Sequence, residues 1–420
     1  MWRDGCSSRL ARKRALARQC KRISVAVLAA SLAIGLAGCP SNQSSGKVTL
    51  SGHLLYADTN GPRPIAFDKF EIWRQDPGAG WAKEATGSTD GNGQFRLTSS
   101  YRHNTHYAIR VFPDNRGAFC CTGSLNVWVE PGAPQGKKIQ LVSTKAGQDL
   151  IWNYTFDDPY WPRAFNAVET LRRAYEIVAA ARKAANDVNN NESTQSLIPA
   201  HVSLTGCPFA AADMACTWPV SGDIFVPVSR AMDDYVLLHE YGHWVQYSIG
   251  SMAWIASDHS GCKPGPAFIM GGGPLPVQWR EQHAWLEGSA DWLGATIAKK
   301  YPAMSPPFDG DWDNFAGIDE SSTCGTAEDG SRYERHVANM LWDLTDGGPG
   351  SEASDHVFED ASLFIQIIDN ELGTPNTSIW PTTDNFYYAN FYRRGSWPIS
   401  DVELSDIYKI NNISVPPILN

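Results

Sequence analysis

The residues that most constrain this chain are 236–245, which read V-L-L-H-E-Y-G-H-W-V. His239 and His243 are four positions apart, so on an α-helix both imidazoles lie on one face and reach one metal ion. Glu240 lies between them and points to a neighbouring face, where its carboxylate can take a proton from a water that the metal holds. The pattern therefore predicts a metal-binding helix. A buried histidine pair beside a hydrogen-bonded glutamate is the structural alternative.

The flanking residues predict where this helix begins and ends. Ser229 is a candidate N-cap, and Asp233 and Asp234 suit the positive end of the helix dipole. Gly250 is a residue type that commonly ends a helix. Apolar residues surround the two histidines, so we expect this helix to be buried.

A second helix is predicted further on, where residues 281–294 read E-Q-H-A-W-L-E-G-S-A-D-W-L-G. Glu287 and Asp291 are four positions apart and project from one face. The E-G-x-A-D-W part resembles the second zinc helix of gluzincin metallopeptidases, such as the thermolysin and fungalysin groups. The resemblance implies that Glu287 is the third zinc ligand beside His239 and His243, and that Asp291 accepts a hydrogen bond from His239. A buried helix with a capped carboxylate is the alternative.

Two other families complete an H-E-x-x-H site differently. The metzincin extension requires glycine at 246 and histidine at 249, but the chain has Gln246 and Ile249, which excludes it. The aspzincin pattern G-T-x-D-x-x-Y-G is only approximated by residues 325–330, G-T-A-E-D-G. It stays a minor alternative, with Asp329 or Glu328 as the ligand.

A gluzincin also uses a histidine or tyrosine to stabilise the oxyanion that forms at the scissile carbonyl. Residues 332–344 resemble a later helix of the fungalysin group, in which the A-x-M-L part recurs. The histidine of that family would fall near Ser331, so this chain departs from the pattern there. Tyr333 or His336, on adjacent turns, is the predicted replacement. A solvent-facing His336 is the alternative.

An acidic segment at residues 309–320 reads D-G-D-W-D-N-F-A-G-I-D-E. It places acidic side chains at positions 1, 3, 5 and 12 of an EF-hand-like calcium loop. Position 6 is Asn314 instead of glycine, and prolines precede the segment where a helix is needed. We therefore favour a solvated acidic loop, with a Ca²⁺ site as the alternative.

The N-terminal residues predict export. Basic residues are followed by an apolar stretch at 23–36, which is typical of a secretory signal and shorter than a membrane span. The signal predicted for residues 1–38 leads into L-A-G-C, which resembles the lipobox of bacterial lipoproteins. The resemblance implies that Cys39 carries lipid, that a flexible tether spans 39–46, and that the protein is anchored to a bacterial membrane, facing the periplasm or the exterior. An ordinary signal peptide is the alternative.

The charge of the predicted mature chain argues against nucleic acid and anionic lipid as partners. The whole chain has 35 Lys and Arg against 45 Asp and Glu. Residues 1–38 hold eight basic residues and one acidic residue, which leaves 27 against 44 and a net charge of −17. An acidic surface of this kind repels phosphate groups.

Cysteine usage also fits an exported protein. The chain has nine cysteines, of which six follow Cys39. An even number in an oxidising compartment favours disulfides over metal thiolates. The expected pairs are Cys207–Cys216, across a short loop, and Cys262–Cys324, although spacing does not choose among the possible pairings.

The first part of the mature chain is predicted to be β-rich. We expect strands at 48–56, 70–74, 106–112, 126–130 and 138–142. A T-D-x-x-G-x-F turn at 89–95 leads into a further strand. This order resembles the transthyretin-like modules found beside secreted peptidases. The resemblance implies a β-sandwich over 47–145 that serves as a spacer or a binding accessory.

The rest of the chain mixes helices and strands. A helix at 162–188 is followed by strands at 201–204 and 223–228, and later helices are expected at 355–372, 384–393 and 402–410. In peptidases with the H-E-x-x-H motif, the strand before the motif helix is commonly an edge strand that pairs with extended substrate. The predicted architecture is multidomain: the β-sandwich, an α+β zincin-like metallopeptidase domain over 150–350, and a helical C-terminal part over 351–420.

These resemblances imply a zinc-dependent endopeptidase that uses Glu240 as its general base and acts on a peptide or protein substrate. Two alternatives are a catalytically inactive zincin-fold lipoprotein that binds or adheres at the cell surface, and a zinc hydrolase of a non-peptide amide. The joint presence of three ligands and Glu240 argues against the inactive protein. The predicted edge strand favours extended peptides.

Overall fold

A computed structural model shows how these segments come together. The structure describes residues 46–101, 105–120, 127–129, 149–184, 198–208, 213–248, 277–301, 329–345, 361, 365, 367, 372, 381–392 and 399–417. Several predictions lie outside the described residues: the signal, the tether, Cys39, the loop at 309–320, the strand at 138–142, Gly250 and the Cys262–Cys324 pair. Within the described part of the chain, no helix combines the length and apolar character needed to cross a membrane.

Strands dominate the first part of the fold. In chain order they are β1 (Gly46–Tyr56), β2 (Arg63–Pro64), β3 (Lys69–Gln75), β4 (Ala82–Ser88), β5 (Gln94–Tyr101), β6 (His106–Val111), β7 (Ala118–Cys120), β8 (Val127–Val129) and β9 (Leu150–Phe156). Among the described residues, one sheet has the order β2-β1-β5, with β9 also pairing with β1, and another has the order β4-β3-β6-β8. The predicted strands coincide with β1, β3, β5, β6 and β8. We did not predict β4 because its side chains are mostly exposed and have no apolar alternation.

Alternating side chains explain how these two sheets share a core. Val48, Leu50, Leu54 and Tyr56 of β1 are buried, as expected for a strand in which every second residue points to the same face. They join residues of β3, β5, β6 and β9 in one hydrophobic cluster. The apolar faces of the two sheets are therefore turned towards each other.

Two strands lie in a different sheet from their neighbours in sequence. β9 runs parallel to β1, with Leu150 opposite Leu50, although it follows the module predicted to end at residue 145. β7 lies inside that predicted module but pairs in parallel with β10 (Ile198–Ser203) of the following part. The two parts of the chain therefore share strands, and Ser44–Asn420 form one compact unit.

The third sheet corrects the prediction of an open edge at 223–228. Its described strands have the order β11 (Cys216–Thr217), β12 (Ile224–Pro227), β10 and β7. β12 matches the predicted strand, but β10 pairs with it in parallel on one side and β11 pairs antiparallel on the other. The chain turns back on itself between β11 and β12, and the Cys207–Cys216 disulfide, which was predicted, holds β11. The edge prediction was wrong for β12, because the edge strands among those described are β11 and β7.

Helices form most of the remaining described structure. Those with described bounds are α1 (Trp161–Ala184), α2 (Asp234–Ser248), α3 (Val277–Lys300), α4 (Glu334–Asp343), α5 (Thr383–Tyr392) and α6 (Asp401–Ile410). A 3₁₀ turn, Gly330–Arg332, precedes α4. α2 and α3 carry the two predicted motifs, and the helices predicted at 162–188, 384–393 and 402–410 overlap α1, α5 and α6.

α2 begins at Asp234 and not directly after Ser229. The carboxylate of Asp233 accepts a hydrogen bond from the backbone N–H of Tyr235 at 3.1 Å, which is the capping interaction that we predicted for Ser229. Ser229 instead donates its hydroxyl to Asp213. The N-cap prediction was wrong because residues 228–232 form a turn before the helix.

The first residue of α2 is tied to two other parts of the fold. Asp234 Oδ1 accepts hydrogen bonds from Asn166 Nδ2 at 2.9 Å and Thr170 Oγ1 at 2.6 Å, both on α1. Asp234 Oδ2 lies 3.5 Å from Arg63 Nη1 on β2, and Arg63 Nε lies 2.5 Å from Asp58 Oδ2. The side chains of this network are buried or nearly so. It therefore joins the N-terminal strands to α2, the helix that carries His239 and His243.

The burial of Asp68 predicts that the free energy of unfolding depends on pH. Its side chain is buried and its Oδ1 has no hydrogen-bond partner among the described residues. Burial, with the nearby charges of Glu169 and Asp114, raises the pKa of Asp68 well above 3.8. The folded state therefore favours the neutral carboxyl, so the stability that this group contributes is present below about pH 4 and is lost as the pH rises towards the folded-state pKa.

We expect Asp68→Asn, which stays neutral, to raise the free energy of unfolding relative to the wild type, and to raise it more at pH 7 than at pH 4. The reason is that asparagine has no charge to bury at either pH. The buried aspartate opposes ionisation, and this costs more stability as the pH rises. Denaturant unfolding of both proteins at the two pH values measures the effect. A difference between the proteins that is equal at both pH values would contradict it.

Candidate metal centre

His239 and His243 lie one turn apart on α2 and their rings are nearly perpendicular, with centroids 4.7 Å apart. Their Nε2 atoms are 3.1 Å apart. Glu287 of α3 places Oε2 at 3.0 Å from His243 Nε2 and at 3.4 Å from His239 Nε2. A tetrahedral zinc ion with bonds of about 2.0–2.1 Å separates its ligand atoms by about 3.3 Å. The chemistry and the spacing of these three donors therefore fit zinc.

Small residues let the helices that carry these ligands approach closely. A Cβ atom at Gly242 of α2 would lie 2.6 Å from the Cα of Ala290 on α3. On another side of α3, a Cβ atom at Gly288 would lie 2.6 Å from the carbonyl oxygen of Glu334 on α4. Side chains at either glycine would push the helices apart. Gly242 therefore sets the α2–α3 separation that brings Glu287 to the histidines, and Gly288 sets the separation of α3 from α4.

Two of the three ligands have a polar partner on α3. His239 Nδ1 lies 2.6 Å from Asp291 Oδ1, which is the contact expected from the sequence. The other carboxylate oxygen of Glu287, Oε1, lies 3.7 Å from Nε2 of His283, one turn earlier on the same helix. Partners of this kind orient metal ligands and adjust their basicity.

The third ligand, His243, is oriented by Gln246. His243 Nδ1 lies 3.0 Å from Gln246 Oε1. The amide nitrogen of Gln246 donates to the carbonyl of Leu286 and to the hydroxyl of Ser289, both at 2.7 Å. Because both amide hydrogens are used there, the amide oxygen faces the imidazole and can only accept. His243 therefore carries its hydrogen on Nδ1, which leaves the lone pair of Nε2 for a metal.

The electrostatics of the site favour a cation. Burial by itself lowers the pKa of His239, but the charges and hydrogen bonds of Asp291 and Glu287 outweigh it and hold the pKa well above its usual value. In the metal-free protein the imidazolium balances these buried carboxylates. A divalent cation supplies positive charge in place of that proton, so metal binding and proton release are coupled.

Glu240 is next to His239 on α2 but its side chain meets the third sheet. It is buried, and its Oε2 accepts a hydrogen bond from Thr217 Oγ1 of β11 at 2.8 Å. Glu240 is not one of the residues whose ligand atoms converge. A carboxylate that adjoins the metal ligands without being one of them is suited to proton transfer.

Tyr333 and His336, the predicted oxyanion donors, lie at the start of α4. Both are buried, and their rings meet edge to face with centroids 5.7 Å apart. Burial lowers the pKa of His336, and a hydrogen bond with the backbone of Asn411 opposes this. His336 therefore does not face solvent, and it lies where α4 meets the end of α6. The role of either residue as an oxyanion donor stays a prediction.

Asp329, the alternative ligand, caps the 3₁₀ turn. Its Oδ1 accepts hydrogen bonds from the backbone N–H groups of Ser331 at 2.9 Å and Ser414 at 3.3 Å. Burial would raise the pKa of Asp329, but these bonds hold it below its usual value. The structure thus gives Asp329 a capping role instead of the ligand role that the aspzincin alternative requires. Glu328 lies outside the described residues.

Sequence reasoning missed three side chains that support the site. Gln246 lies three residues after His243 and His283 lies four residues before Glu287, and these spacings share a helix face. Both could have been found from the sequence. Thr217 could not, because it is 23 residues away from the glutamate that it contacts and reaches it only through the packing of β11 against α2.

One comparison with known proteins bears on the site. Residues 210–363 match the family model described as the mycolysin C-terminal domain. The match supports a metallopeptidase of that kind. The matched segment contains all three converging ligands and Asp291, so the similarity falls on the part of the chain that forms the site.

The other comparisons add no argument about function. A search of curated proteins found no match. Among solved structures, the crystal structure of a 9R-lipoxygenase from Cyanothece PCC8801 matches with 23% identity over 35% of this chain and 25% of that chain. Its TM-score of 0.17 is too low to indicate a shared fold.

Proposed function

We propose that this chain is a zinc-dependent endopeptidase. One observation carries the proposal: ligand atoms of His239, His243 and Glu287 lie within 4.8 Å of one another. Glu240, the residue after His239 on α2, is a carboxylate outside this set that can act as a base. The similarity of residues 210–363 to the mycolysin C-terminal domain supports peptide-bond hydrolysis over other chemistry at such a site.

The roles of the side chains follow from their positions. When bound, a zinc ion with three protein ligands polarises a carbonyl group and lowers the pKa of water at its fourth position. Asp291 and Gln246 hold the two imidazoles so that Nε2 of each faces the site. Glu240 takes the proton of the attacking water and delivers it to the nitrogen of the leaving amine.

An extended peptide is the proposed substrate class. The described strands of the third sheet have two edges, β11 and β7, and β11 is the edge strand that contacts Glu240 of α2. A peptide that adds to this edge would run past Thr217, whose hydroxyl contacts Glu240. Main-chain pairing at a sheet edge selects extended peptides over other amides.

The proposed location is a bacterial cell envelope, with the protein anchored through lipid on Cys39 and facing the periplasm or the exterior. The basic and apolar N-terminal pattern supports this. The Cys207–Cys216 disulfide is consistent with an oxidising compartment. We further propose that residues 47–145 act as an accessory to the catalytic part.

Peptide hydrolysis and its metal dependence test the proposed function. We expect the purified mature chain to cleave an unfolded protein at internal bonds, to lose this activity on incubation with a zinc chelator, and to regain it when Zn²⁺ is added back. Zinc-loaded protein that cleaves no peptide but binds one would favour the inactive binding protein. Hydrolysis confined to non-peptide amides would favour the other alternative.

A further inference from the structure

Thr217 has no role in the proposed mechanism. Thr217 is 5% exposed and lies on β11 with its Oγ1 at 2.8 Å from Glu240 Oε2 and at 2.8 Å from the backbone carbonyl oxygen of Glu240. The hydroxyl has one hydrogen and donates to one of these oxygens at a time. The carbonyl is already an acceptor within α2, where it pairs with the N–H four residues later. The carboxylate is therefore the acceptor that depends on Thr217.

The position of this hydroxyl is fixed by three features of β11. Thr217 pairs with Ile224 across the antiparallel ladder. The preceding residue, Cys216, is bonded to Cys207, and the N–H of Trp218 donates to the carbonyl of Asp223 at 2.8 Å. A β-branched side chain also has few χ1 rotamers. The donor is therefore held in place by the strand and does not have to be ordered when a substrate binds.

We propose that Thr217 is the positioning residue of Glu240: its hydroxyl fixes the orientation of the carboxylate through Oε2 and leaves the other oxygen for proton transfer. Because the other oxygen handles the proton, Thr217 can go on donating to Oε2 throughout the transfer. This is the property that a group serving in turn as base and acid needs from its support. The inference rests on the proposed function, because it assigns Glu240 the role of general base.

Substitutions at Thr217 separate the hydroxyl from the shape of the side chain. Thr217→Val keeps the shape and removes the hydroxyl. We expect kcat to fall about 10- to 100-fold, since small misplacements of a catalytic group cost about that much, while KM changes by less than about threefold and zinc content is unchanged. Thr217→Ser keeps the hydroxyl and is expected to retain kcat within about threefold. If Thr217→Val does not fold, Thr217→Ala serves the same comparison.

Thr296→Val is the matched control. Thr296 is a buried threonine on α3 whose hydroxyl has no hydrogen-bond partner among the described residues, so its loss should leave kcat unchanged. A second readout does not need activity: crystal structures should show the Glu240 side chain in one rotamer in the wild type and Thr217→Ser, and displaced in Thr217→Val.

The outcomes distinguish the positioning role of Thr217 from the proposed peptidase function. Wild-type kcat in a folded, zinc-containing Thr217→Val protein would overturn the positioning role, as would a Thr217→Ser protein that behaves like Thr217→Val. Both results leave the proposed peptidase function standing. A zinc-loaded wild type without peptidase activity would overturn the proposed function itself, and the rotamer of Glu240 would then still show whether Thr217 holds the carboxylate.

Discussion

Replacing Glu240 by glutamine is expected to lower kcat/KM for peptide hydrolysis by about 10²- to 10⁴-fold, the contribution that a general acid–base group typically makes. Glutamine has nearly the same shape, and its amide oxygen can still accept a hydrogen bond from Thr217. It cannot take a proton from water at neutral pH. Because Glu240 is not among the converging ligands, zinc content should stay at the wild-type level.

Steady-state kinetics on one peptide substrate, together with metal analysis of the same samples, measure this effect. Glu281→Gln is a suitable control, since Glu281 lies at the start of α3 near Arg332 and is expected to leave activity within about twofold of the wild type. Full peptidase activity in zinc-containing Glu240→Gln would refute the assigned mechanism. Loss of zinc from that variant would instead make Glu240 part of the metal-binding set.

Arg63→Met is expected to destabilise the fold by about 3–5 kcal/mol, the typical cost of removing one partner from a buried ion pair. Arg63 lies between Asp58 and Asp234, whose side chains are 0% and 1% exposed. Without the guanidinium, both carboxylates remain buried and lose the positive charge of Arg63 that balances them. Since Asp234 is the first residue of α2, the damage should reach the helix that carries His239 and His243.

Denaturant unfolding of wild type and Arg63→Met measures the difference in the free energy of unfolding. Lys83→Met is the matched control: Lys83 lies 3.2 Å from Glu71, but its side chain is 51% exposed, and an exposed pair contributes at most about 1 kcal/mol. Equal, small effects of both substitutions would contradict the view that a buried charged network joins the N-terminal strands to α2.

The parts of the site that sequence could predict are those that lie on one helix. His239 and His243, and likewise Glu287 and Asp291, are related by a spacing of four, which fixes their common face before any tertiary structure is known. Gln246 lies three residues after His243 and His283 four residues before Glu287, and these spacings likewise place each side chain on the helix face of the residue that it contacts. The helices α2 and α3 were predicted for the same reason.

The parts that sequence could not predict depend on contacts between distant segments. Thr217 carries no local signal because only the fold of β11 brings it to α2. The exchange of β7 and β9 between sheets was also not predictable, since apolar alternation marks a strand but does not name its partner. The open edge was assigned to β12 because a two-residue strand such as β11 is too short to show any periodicity.

The most direct test of the central claim is the zinc content of the purified mature chain, measured by elemental mass spectrometry beside His243→Ala. Three converging ligands, each contacted by a further polar side chain, predict stoichiometric zinc in the wild type that survives dialysis. They also predict its loss from His243→Ala, which leaves only His239 and Glu287. A wild type that stays metal-free after exposure to Zn²⁺, or a His243→Ala protein that retains stoichiometric zinc, would contradict the proposed metal centre.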